Sequence, residues 1–249
     1  MDNPRSTVRV AARYCGPPSS ANGGYICGLV ADAIGQLVTV RLLKPPPLDA
    51  EMSLHADPDG TWHVEHDAQR IVEARPASLD DLAPPATVSH AAAMEASRRA
   101  TWSDPAQHPC PGCFVCGPLR AKGDGLRLFA GPVAGESVVA TDWTPDTSLA
   151  GADGRLPPEL ISAALDCPGF QALQTGLKPW LLGEYTCRID RRVSAGERCV
   201  IVGWKIETKG RRSIVGTALH DEAGRLCALA RGVWIEPREP GVFSPKSGE

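Results

Sequence analysis

The chain has 249 residues, 43% hydrophobic and 22% charged, with a formal net charge of −3. This is the composition of a globular protein with a sizeable core, and the length allows one large domain or two small ones at roughly 100–200 residues each. Without long basic or acidic runs, nucleic acid and charged membrane surfaces are excluded as main partners. No apolar run approaches the roughly 20 residues that span a bilayer.

The first residues, MDNPRSTVRV, lack the apolar core of a signal peptide, so a cytoplasmic location is expected. The nine cysteines are an odd number, and cytosolic thiols stay reduced. Cys27, Cys167, Cys187, Cys199 and Cys227 sit in apolar segments and read as small core residues.

Taken in order, residues 6–14 alternate loosely and suit a first strand. Residues 19–35 (SSANGGYICGLVADAIG) follow Pro17-Pro18 and read as a helix with small apolar residues and one acid, Asp32. Its start, Asn22-Gly23-Gly24, offers unpaired backbone N–H groups that a ligand can approach closely. Strands are expected at 37–43, 50–56, 61–67 and 69–74, with a turn at Asp57-Pro58-Asp59-Gly60. His63 and His66 fall on opposite faces of one strand and read as surface or edge residues. A linker helix fits residues 86–102. Strands then fit 125–129 and 136–143, followed by a helix over 158–172 that Cys167-Pro168-Gly169 threatens to break. Four more strands fit 185–190, 198–207, 213–220 and 226–234. This pattern gives an N-terminal domain over 1–83, a linker over 84–112, a C-terminal domain over 113–237 and a flexible Pro/Gly/Ser-rich tail over 238–249.

The two halves repeat. Residues 157–170 (PPELISAALDCPGF) share the plan of 19–35: turn residues, an apolar helix and one acid. Matching Gly24 to Pro158 places Asp32 opposite Asp166, an offset of 134 residues. Matching VTVRLLKPPPLDAE to YTCRIDRRVSAGE places Arg41 opposite Arg188, an offset of 147. An insertion after the second helix accounts for the 13-residue difference between 147 and 134.

A strand, a buried helix and antiparallel strands, twice over, resemble the double hotdog of the acyl-CoA thioesterase-like families, uncharacterised actinobacterial hotdog proteins among them. The residues carrying the likeness are Gly16-Pro17-Pro18, Asn22-Gly23-Gly24-Tyr25 and 42–46 in the first half. In the second they are Cys113-Phe114-Val115-Cys116-Gly117, Gly125-Leu126 and Leu165-Asp166. The resemblance implies an α+β fold of two tandem hotdog domains, each an antiparallel sheet wrapped around a long helix. It implies a small-molecule acyl thioester as substrate, with coenzyme A as part of that substrate and no separate cofactor. Hotdog domains work in pairs, so a homodimer of such chains is also in view.

Thioester hydrolysis needs a polarised carbonyl and an activated nucleophile. By position in the resemblance, the Gly24 N–H, with Asn22 nearby, is the oxyanion donor and Asp166 is the acid; Asp32 is its alternative. Ser213 or Thr217 stands for the family's strand hydroxyl, with Thr217 preferred, and no Gln on a late strand completes that set. Arg211 and Arg212 are the cations assigned to the coenzyme A phosphates, with Arg120 and Lys122 as further candidates. The run Cys110-Pro-Gly-Cys113-Phe-Val-Cys116 would offer zinc two of its ligands, with Cys110 and His108. No second, separated C-x₂-C knuckle exists, so a loop of reduced thiols without metal is expected. Two other activities share this fold: a non-catalytic acyl or acyl-CoA binding protein, and an enoyl-CoA hydratase/dehydratase.

Overall fold

The computed structural model describes residues 6–174 and 178–238, so the expected tail beyond Arg238 lies outside the described residues. The first half runs β1 (Ser6–Arg9), α1 (Gly23–Ile34), β2 (Val38–Leu42), β3 (Glu51–Ala56), β4 (Trp62–His66) and β5 (Gln69–Pro76). A surface helix, α2 (His90–Arg98), follows. The second half runs β6 (Gly131–Pro132), β7 (Val139–Trp143), α3 (Pro158–Gln171), β8 (Leu181–Ile189), β9 (Cys199–Lys209), β10 (Arg212–Asp221) and β11 (Leu226–Ile235).

All strands join one antiparallel sheet in the order β1-β3-β4-β5-β2-β8-β11-β10-β9-β7-β6. The halves meet edge to edge at β2 and β8, where Thr39 pairs with Thr186 and their hydroxyls lie 2.7 Å apart. These two threonines are 147 residues apart, the offset read from the strands. The helices obey their own offset. Gly28 and Ser162, 134 apart in number, meet where α1 crosses α3, and a Cβ on Gly28 would come within 2.7 Å of Ser162 Cβ. A residue meets its own copy only on a two-fold axis, so the pseudo-dyad of the repeat passes through both contacts.

Both helices lie on one face of the sheet and form the main core with Ile26, Val30, Leu54, Val64, Ile161 and Leu165. Alternation along β9 serves two layers. Ile201 joins that core, whereas Val200, Val202 and Trp204 face the opposite side, where α2 covers them with Ala93 and Ala96.

Several elements depart from the pattern of the sequence. Residues 10–14 leave the strand for a short 3-10 turn at Ala12–Tyr14. α1 begins four residues later than expected, because the Asn22 side chain caps it by accepting from Tyr25 N at 3.0 Å. Gly35, at φ 79°, ends it in the left-handed conformation that glycine adopts freely. Residues 125–129 do not enter the sheet; Leu126 and Leu128 donate to the carbonyls of Phe114 and Val115. Arg127, at φ 55°, breaks the extended run between them. α3 continues through Cys167-Pro168-Gly169. His63 is buried, bonds to Asp57 Oδ2 at 2.9 Å and stacks on His55, so it is no surface residue.

Candidate active site

Asn22 fixes the site at the start of α1. Its Oδ1 accepts from Tyr25 N, so the amide orientation is settled and Nδ2 must face away from the helix. Nδ2 donates to Asp166 Oδ2 at 2.8 Å, and Gly24 N donates to the same oxygen at 3.0 Å. Gly24 has to be glycine: a Cβ there would lie 2.5 Å from Asp166 Cβ and 2.8 Å from the Ser162 carbonyl. Ser162 ties the crossing from the other side, its hydroxyl donating to the Gly24 carbonyl at 2.7 Å. The Tyr185 hydroxyl in turn donates to the Ser162 carbonyl at 2.9 Å.

Asp166 is buried, and its second oxygen, Oδ1, has no hydrogen-bond partner among the described residues. Burial pushes its carboxyl from an ordinary 3.8 up to about 7; the Gly24 N–H opposes the rise, Cys113 adds to it and the Asn22 amide opposes it. The carboxyl borders a cavity of about 380 Å³. The cavity lining includes apolar side chains, Phe170, Trp180, Leu182, Trp234 and Ile235 among them. It is also rich in sulfur, with Cys110, Cys113, Cys116 and Cys167, and holds His108.

The two pseudo-equivalent acids have different surroundings. Asp32 is exposed. The counterpart of Gly24 at the start of α3 is Pro158, which has no N–H to give a carboxylate. Only the Asp166 side of the repeat can therefore build the donor pair.

The Gly24 N–H, the expected oxyanion donor, donates to Asp166 in this structure, so it meets a carbonyl only when the carboxylate turns aside. Two other sequence assignments need correction. The Thr217 hydroxyl does not face the cavity. It donates to the Leu165 carbonyl at 2.8 Å, holding α3 where Pro168 interrupts the helical hydrogen bonding. Arg120 is tied down by Asp124, the Gly112 carbonyl and Cys15 Sγ, and so braces the cysteine loop. Ser213, the other hydroxyl considered, bonds to Thr208 on the neighbouring strand. Arg211 lies on the turn between β9 and β10 and Arg212 opens β10; both are exposed. Arg211 Nε donates to the Glu236 carbonyl, and Arg212 pairs in the sheet with Ile235, which lines the cavity.

The sequence reading grouped Cys110, Cys113 and Cys116 and placed Cys167 in the core, where it lies, but did not bring Cys167 to that group. Its position next to Asp166 was the available signal. It also missed Gln171, fully buried on α3, whose side chain binds Ala130 N at 2.7 Å and the Leu128 carbonyl at 3.1 Å.

Comparison with solved structures agrees with this architecture. The tesB protein of Mycobacterium avium subsp. paratuberculosis superposes with a TM-score of 0.60 at 12% identity, over 93% of this chain and 92% of that one. A candidate thioesterase from Novosphingobium aromaticivorans gives 0.59 at 14% identity, over 93% and 94%. A conserved hot dog fold protein of unknown function from Alicyclobacillus acidocaldarius gives 0.56 at 13%, over 94% and 93%. The chain is a double hotdog. No family model and no curated protein matches the sequence. In this double hotdog the site lies where the two central helices cross, and no helix among the described residues is long and apolar enough to span a membrane.

Proposed function

We propose that this double hotdog hydrolyses acyl-CoA-type thioesters. One observation carries the reading: a buried carboxyl that borders a largely apolar cavity, with one oxygen held by Asn22 and Gly24 and the other unpartnered. The acyl chain lies along Phe170, Leu182 and Trp234. The thioester oxygen takes up a donor of the Asn22–Gly24 pair as the carboxylate turns toward water. Asp166 accepts a proton from that water, whose oxygen attacks the carbonyl carbon. The carbon–sulfur bond breaks, and the departing thiolate takes the proton back. Arg211 and Arg212 meet the phosphates of coenzyme A. Two such chains forming a homodimer is part of the same proposal.

A specific observation also favours a non-catalytic acyl-binding role: with Asp166 at rest, the Gly24 N–H is already engaged. Coenzyme A release measured over a series of acyl lengths separates the two. Release that disappears in Asp166→Asn and persists in Asp32→Asn supports hydrolysis. Tight acyl-CoA binding without release supports the binding role.

A further inference from the structure

Cys113, Cys116 and Cys167 converge in the cavity lining beside Asp166. Their sulfur atoms all lie within 4.8 Å of one another, and Cys113 Sγ is 3.8 Å from Cys167 Sγ. A tetrahedral ion with zinc–sulfur bonds of about 2.3 Å sets its sulfurs about 3.8 Å apart.

The loop is built to hold two of these sulfurs. Cys113-Phe-Val-Cys116-Gly117 forms a tight turn that keeps the two thiols on one side, within 4.8 Å of each other and of Cys167. Gly117 N donates to the Cys113 carbonyl at 2.8 Å, and a Cβ at 117 would collide with that same carbonyl. The loop is anchored to the start of α1. Phe114 packs edge-on against Tyr14 and Tyr25, and its N–H donates to the Cys15 carbonyl at 2.8 Å. The third sulfur arrives from α3, 54 residues beyond Cys113.

The ligand set differs from the one the spacing suggested. Cys110 Sγ turns away and donates to the Gly16 carbonyl at 2.7 Å. His108 Nδ1 accepts from Cys110 N at 3.0 Å, which places the proton on Nε2 and leaves no lone pair for a metal. All three cluster cysteines line the cavity that Asp166 lines.

We propose that Cys113, Cys116 and Cys167 bind one zinc ion through three thiolates, its fourth position open to the cavity for water. Three soft sulfur donors select zinc over harder divalent ions, and three protein ligands with an open position are the pattern of a reactive rather than a closed structural site. Metal content is read without turnover, so this site stands or falls apart from the thioesterase reading.

The full-length chain, purified reduced and without chelator, is expected to carry about one zinc per molecule by elemental analysis. Stripped protein titrated with Co(II) should develop thiolate-to-cobalt charge-transfer absorption that saturates at about one equivalent. Cys113→Ser, Cys116→Ser and Cys167→Ser should each lower retained zinc at least about tenfold, and Cys110→Ser should leave it unchanged. Wild-type protein that is folded and reduced yet binds neither zinc nor Co(II) would overturn the proposal. So would a Cys110→Ser variant as depleted as Cys167→Ser, or a Cys113–Cys167 disulfide in the purified chain. The wild-type measurements decide the matter even if a variant fails to fold.

Discussion

Asp166→Asn tests the site without disturbing its frame. Two donors, Asn22 Nδ2 and Gly24 N, converge on Oδ2 at 2.8 and 3.0 Å. An asparagine at 166 can satisfy them only with its carbonyl oxygen, because the reverse flip would set an NH₂ against two N–H groups. The amide nitrogen then takes the place of Oδ1 and cannot accept a proton. Loss of a positioned general base lowers kcat by about 10²–10⁴-fold. Stability moves little. The acid, raised to about 7, and the neutral amide each leave one buried polar group without a partner at this position, so the two differ by about 1 kcal/mol or less. For a chain of this size, Tm should stay within about 4 °C of wild type. Coenzyme A release followed with a thiol reagent and thermal unfolding read on the same samples give both numbers. An Asp166→Asn chain that unfolds at the wild-type temperature or higher and still turns over at the wild-type rate would refute the assignment. Asp32→Asn serves as the control: it lies exposed in the other copy and should leave both quantities unchanged.

Gly24→Ala brings a methyl within 2.5 Å of Asp166 Cβ and forces α1 and α3 apart; a loss of about 1–3 kcal/mol in chemical denaturation is expected, together with loss of turnover. Arg211→Glu with Arg212→Glu should raise KM for a coenzyme A thioester by a few-fold, about 1 kcal/mol or less per charge, and leave KM for a thioester of a short uncharged thiol unchanged; the effect should shrink as salt rises. Asp221 supplies an acid-linked prediction. Burial alone would raise its carboxyl, but hydrogen bonds from the backbone and side chain of Arg225, with the charge of Arg191, outweigh burial and hold it below the usual carboxylate value. A lowered folded-state pKa means stability that is present above the unfolded value of about 3.9 and lost as pH falls through the folded one. Asp221→Asn should therefore unfold about 1–2 kcal/mol more easily at neutral pH, and its difference from wild type should close below about pH 4 in urea titrations.

The repeat, the two central helices and most strands were legible because they rest on local patterns: apolar periodicity, β-branched runs, Asp-Pro-Asp-Gly and Asn-Gly-Gly punctuation. The two offsets were legible too, and both proved to mark residues on the pseudo-dyad, Gly28 with Ser162 and Thr39 with Thr186. Asp166 was singled out as the candidate acid because a carboxylate in an apolar helix is costly unless it is held or used, and it is indeed buried. What Asp166 touches was not legible. Asn22 is 144 residues away, and only the helix crossing brings its amide within 2.8 Å.

The sequence by itself determined the duplication, the element types and the short list of acids, because each depends on neighbours a few positions apart. Tertiary structure alone decided which acid is buried, what Thr217 binds and which cysteines meet. Pro158 in place of a glycine denies the Asp32 copy its backbone donor, a difference of one N–H that carries weight only once the two helix starts are known to be equivalent. Cys167 reads as core from its neighbours in the chain, and becomes the partner of Cys113 because α3 passes the 113–117 turn at one place. Such convergence is set by helix crossing and sheet closure, and these depend on the packing of the whole chain.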